Sequence, residues 1–80
     1  MRHVKSTQEI AVGDIILTGS TFYSVADVFP RKFRGYVWQE DVKAWGPLRD
    51  VPLPSPIHSA HVMEESAEMF PPIPGGTRNA

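Results

Sequence analysis

Eighty residues with no cysteine describe one small domain that no disulfide can staple and that thiol catalysis, Cys-ligated zinc and iron–sulfur chemistry cannot use. Eight Lys and Arg against nine Asp and Glu leave a formal charge of −1, which excludes a general electrostatic grip on nucleic acid or anionic membrane. Apolar runs such as Ile15-Ile16-Leu17 are far too short to span a bilayer, and Met1-Arg2-His3-Val4-Lys5 precedes no signal-peptide core, so a cytoplasmic protein without a membrane segment is expected.

Along the chain, Ser6-Thr7-Gln8-Glu9 has the S-x-x-E spacing of a capping box and predicts a short helical turn. Val12-Gly13-Asp14 ends it, since glycine takes positive φ cheaply and the aspartate can bond nearby amides. Ile15-Ile16-Leu17-Thr18 and the aromatic, β-branched stretch from Thr21 to Phe29 read as strands, and Gly19-Ser20 between them as the turn of a hairpin.

Pro30 and Gly35 bracket a basic connection, Arg31-Lys32-Phe33-Arg34, placed at the tip of a second hairpin whose far strand is Gly35-Tyr36-Val37-Trp38-Gln39. Glu40-Asp41 begins a polar break, Trp45-Gly46-Pro47 reads as a turn, and Leu48 to Leu53 as a fourth strand. Pro52 and Pro54 cannot donate ladder hydrogen bonds, so that strand lies at an edge or ends there. Two readings stand for residues 55–70. Ser55-Pro56 can open a helix with an apolar stripe of Ala60, Met63, Ala67 and Phe70, or a short 3₁₀ turn can lead into a strand at Ala60-His61-Val62-Met63. Residues 1–70 are taken as the domain and 71–80 as a flexible Pro/Gly-rich tail.

The expected fold class is therefore mainly β, a curled antiparallel sheet or small barrel. Val-Gly-Asp-Ile-Ile at 12–16, Phe-Tyr-x-Val-x-x-Val at 22–28, Gly-Tyr-Val-Trp at 35–38 and a proline-containing crossover into 60–63 give a layout that resembles small SH3-like barrels over residues 10–64. The resemblance implies a scaffold common among binding modules. The short length and absence of a diagnostic motif resemble small phage or mobile-element products, which implies a host protein as partner.

The candidate site is the cluster Phe29, Arg31, Lys32, Phe33, Arg34, Tyr36 and Trp38, three cations among four aromatics. Rings that stack on unpaired bases beside cations that contact phosphates are the chemistry of single-strand binding on small barrels. The competing reading buries the rings and leaves the cations on a solvated tip. His58, His61 and Glu64 or Glu65 would share a face only on a helix, and they lack an H-E-x-x-H pattern, so no metal site and no cofactor is expected. Asp27, placed on the same side as Tyr23 and Val25, reads as a paired or rim carboxylate rather than a base. Pro71-Pro72-Ile73-Pro74 satisfies P-x-x-P without a nearby cation and reads as tail. With no nucleophile elbow, phosphate loop or paired carboxylates, the expectation is a non-catalytic module that binds another protein. The alternative is a nucleic-acid-binding barrel using the hairpin at 29–38. A homo-oligomeric interface is one way for so small a core to gain stability.

Overall fold

The computed structural model describes residues 2–64, 70 and 71. Six strands, β1 (Arg2–Val4), β2 (Ile15–Thr18), β3 (Thr21–Val28), β4 (Lys32–Gln39), β5 (Ala44–Pro52) and β6 (Ala60–Val62), form one antiparallel sheet in the order β1-β6-β2-β3-β4-β5. Among the described residues the one helical element is a 3₁₀ turn at Thr7–Glu9. The mainly β expectation stands, but the sheet does not close into a barrel: β1 and β5 remain its two edges. Physical reasons lie in both edges. β1 is only three residues long, and β5 carries Pro47 and Pro52, which lack the amides that a closing strand would need.

Local chemistry sets each turn. The Ser6 hydroxyl accepts a hydrogen bond from the Gln8 amide (3.1 Å) and the Glu9 carboxylate accepts one from the Lys5 amide (3.2 Å), a capping arrangement that supports a single turn. Asp14 then accepts from the Ala11 amide (2.9 Å), beside Gly13 at φ +99°. At the β2–β3 hairpin, Gly19 and Ser20 both have positive φ (58° and 73°), the type I′ geometry whose twist matches that of the flanking strands.

Two bulges shift the registers. In β3 the pairing moves between Val25↔Gly35 and Asp27↔Arg34, leaving Ala26 as the extra residue. This turns Asp27 away from the face of Tyr23 and Val25 and onto that of Arg34, correcting the alternation expected from sequence. In β5 the pairing moves between Trp38↔Trp45 and Tyr36↔Leu48, so Gly46-Pro47 forms a bulge within a nine-residue strand and is not a turn. The bulge lets the chain keep pairing around a proline.

The sheet curls around a core of Val4, Ile10, Ile16, Val25, Phe33, Val51, Leu53, Ala60 and Val62, so strands from both ends of the sheet share one concave side. Phe33 and Ile16 are fully buried. Here the expected connection Arg31-Lys32-Phe33-Arg34 is corrected: β4 already starts at Lys32, and Phe33 alternates inward between Lys32 and Arg34. Gly35 is a close approach, because a Cβ there would lie 2.9 Å from the Ser24 carbonyl oxygen.

Between β5 and β6 the Ser55 hydroxyl accepts from the amides of Ile57 (3.2 Å) and His58 (3.1 Å), a local turn rather than a helix start. Ala60 and Val62 are buried while His61 is half-exposed, a period of two that makes this segment a strand and removes the helical stripe through Met63. The helix alternative over 55–64 is thereby corrected. Residues 65–69 and 72–80, including most of the expected tail, lie outside the described residues.

Candidate functional site

The registers divide the expected cluster between the two faces of the sheet. Phe33 is core, opposite Val51. Lys32, Arg34, Tyr36 and Trp38 alternate with it and share the convex face, where they meet Pro52, Asp50, Leu48 and Trp45 of β5 in turn. Phe29, whose amide donates to the Lys32 carbonyl (2.9 Å), joins them from the end of β3. Arg31 stands apart, exposed on the turn. That turn is pinned from below: the Thr7 hydroxyl donates to the Pro30 carbonyl (3.1 Å) and the Leu53 amide to the Arg31 carbonyl (3.0 Å).

One end of the convex face is charged but internally balanced. Asp50 accepts from Arg34 Nε through Oδ1 (2.8 Å) and from Lys32 Nζ through Oδ2 (3.0 Å), so a single carboxylate occupies both cations. Those hydrogen bonds, Arg34's first, hold the Asp50 carboxyl down at about 2 and, reciprocally, push the Arg34 guanidinium up, with Asp27 adding a smaller charge effect. Both cations also lie over the Phe29 ring, at 5.3 Å for the guanidinium and 5.4 Å for the ammonium. Beside them, Phe29, Pro30, Arg31, Lys32, Asp50 and Pro52 line an open groove of about 450 Å³.

The other end is aromatic. Trp38 and Trp45 face each other edge to face at 5.0 Å, and Phe70 lies 4.9 Å from Trp38, 5.3 Å from Trp45 and 5.1 Å from Phe22. The Trp45 indole N–H donates to the Pro71 carbonyl (2.8 Å), and the Trp38 indole to the Glu40 carboxylate (2.8 Å). Glu40 also binds Lys43, which with Trp38 holds the Glu40 carboxyl below its ordinary range. Between the two ends Tyr36 is half-buried and Leu48 is 45% exposed, continuing an apolar strip along β4 and β5.

Sequence reasoning placed Phe29, Lys32, Arg34, Tyr36 and Trp38 together, and the structure does so. It missed Asp50, Trp45, Phe22, Leu48 and Phe70. Asp50 had a signal of its own, the Arg49-Asp50 step in an alternating strand that must pair with the basic one. Asp27 is exposed opposite Arg34, as a rim carboxylate. His61 lies across from His3, ring centroids 4.9 Å apart, and the strand separates it from the helical face that a His58–His61–Glu64 metal reading requires. Among the described residues no three His, Asp or Glu side chains are grouped to hold a metal ion, and no helix is long and apolar enough to cross a membrane.

No protein-family model matches the chain, and no curated protein or solved structure matches it significantly.

Proposed function

We propose that this chain is a non-catalytic protein-interaction module that presents the convex face of β3, β4 and β5 to another protein. The observation that supports it is the double ion pair at Asp50. Phosphate recognition draws on uncompensated positive charge, whereas Lys32 and Arg34 already share the carboxylate of Asp50 on the same face, which offsets part of theirs. What the face offers instead is a strip of Tyr36, Leu48 and Trp38 beside β5, a sheet edge with no further strand paired to it among the described residues, the mixture of aromatic area and open backbone that suits polypeptide partners. The curled sheet serves in this reading as an SH3-like scaffold left open at one side, working in the cytoplasm.

The runner-up, a nucleic-acid-binding surface, draws on Arg31, which has no ion-pair partner among the described residues. One experiment separates the two. The chain and its Leu48→Asp variant are used as bait in native lysate with and without nuclease, alongside anisotropy titrations of labelled single- and double-stranded oligonucleotides at two salt concentrations. A partner that survives nuclease and is lost with Leu48→Asp is expected, with oligonucleotide binding no tighter than ~10⁻⁴ to 10⁻⁶ M. Submicromolar, salt-sensitive oligonucleotide binding that disappears in a folded R31A/K32A/R34A variant would reverse the order.

A further inference from the structure

The aromatic end of the convex face already has an occupant. The Phe70 ring sits against Phe22, Trp38 and Trp45, and the next residue hands its carbonyl to the Trp45 indole. We propose that Phe22, Trp38 and Trp45 form a binding site for an aromatic–proline peptide segment, filled in this chain by its own Phe70-Pro71 and open to exchange with the same chemistry on a partner. This rests on the protein-binding reading above and names the chemistry of the partner.

Three features support exchange rather than permanent packing. Phe70 is half-buried and belongs to the convex cluster, while the core on the concave side is built from other residues. Recognition of Pro71 is through a backbone carbonyl, an acceptor that any proline-containing segment supplies, and proline has no amide to leave unsatisfied beside the rings. A ring and a proline carbonyl read by paired aromatics and an indole N–H form a compact, low-entropy contact of the kind that extended proline-rich ligands make. Leu48, exposed on the same face one register step along at Tyr36, gives a longer partner more to hold. A tethered occupant competes at an effective concentration in the millimolar range, so it masks the site from weak ligands in solution.

The test uses the full chain, its Phe70→Ala variant, and a fluorescein-labelled peptide with the sequence of residues 67–74, Ala-Glu-Met-Phe-Pro-Pro-Ile-Pro. Anisotropy should show Phe70→Ala binding the peptide at least about tenfold tighter than wild type, because the competitor has been removed. Adding Trp45→Phe to that variant should weaken binding about three- to tenfold through loss of one hydrogen-bond donor, and a peptide with Ala for Phe should not bind. Equal binding by wild type and Phe70→Ala, or none by a folded Phe70→Ala chain, overturns the proposal. So does a Phe70→Ala chain without a cooperative urea transition, since Phe70 would then be part of the core. The oligonucleotide titrations and the nuclease-resistant capture do not use this peptide, so a failed peptide titration leaves the protein-binding reading standing.

Discussion

Trp38 and Trp45 lie directly opposite each other across β4 and β5, and they are unequally buried: Trp45 is 9% exposed, whereas Trp38 keeps more of its surface in water. Truncating a buried tryptophan removes both transfer free energy and packing partners. Trp45→Ala should therefore cost about 3 kcal/mol in urea denaturation, and Trp38→Ala about half as much. Equal losses would mean that the pair acts as one unit and that burial does not rank it.

Positions two apart on either side of the start of β4 should respond very differently. Phe33 is fully buried among core residues, while Arg31 is an exposed turn residue two positions earlier. Phe33→Ala is expected to lose about 3 to 5 kcal/mol and Arg31→Ala less than about 0.5. Both values come from the same urea titration. A mild Phe33→Ala would put the ring back on a hairpin tip.

Two glycines make a matched comparison. At Gly35 a new Cβ would press on the Ser24 carbonyl oxygen, which belongs to the paired backbone of β3. At Gly46 it would meet the Gln39 side chain, which can swing aside. Gly35→Ala should destabilise by about 1 to 3 kcal/mol, and Gly46→Ala by much less. Thermal melts of the two variants decide the matter, and a reversed order would contradict the close approach of β3 and β4.

The acid limb of stability should carry the Asp50 signature. Its folded carboxyl titrates at about 2, below the ordinary 3.8, because Arg34 and then Lys32 hydrogen-bond the ionised form. A depressed carboxylate contributes stability that is fully present above the unfolded value and is lost as pH falls through the folded one. The gap in melting temperature between wild type and Asp50→Asn should thus be constant above about pH 4 and close towards pH 2. Carboxyl NMR should show the Asp50 midpoint climbing towards 3.8 in Arg34→Met. Asp50→Asn should also gain salt-sensitive oligonucleotide binding over wild type, since it frees two cations.

Much of the sheet was legible where local chemistry alone decides the outcome. Gly19-Ser20 between β-branched runs reads as a hairpin turn, Pro52 marks a strand at an edge or at its end, and the Ser6 and Asp14 side chains close their own turns. Legibility failed where a bulge changed the count. Strict alternation put Asp27 with Val25, and the extra Ala26 reversed it; Trp45-Gly46-Pro47 has turn composition, and a bulge absorbed it into β5. β1 escaped because three residues carry no measurable period. At the candidate site the aromatics and cations were visible, but their neutralisation was not, since Asp50 reaches Arg34 from 16 positions away. The pairing of strands, not composition, decides whether a basic cluster is free.

The position of β6 carries a consequence for how the chain is made. Arg2 is paired with Val62, and β6 lies between β1 and β2, so β1, which leaves a ribosome before the other five strands of this sheet, is among the last to find its neighbour. The meander of β2 to β5 can zip up in sequence as it emerges, each strand against the one before. β1 must wait, tethered and unpaired, until β6 is out, and closing so long a loop is the slow kind of step. Val4, the side chain that β1 brings to the core, then seals the concave side beside Ala60. Any nascent chain stopped short of position 60 consequently lacks two strands rather than one, and it exposes the Ile16 edge of β2 that β6 would have covered.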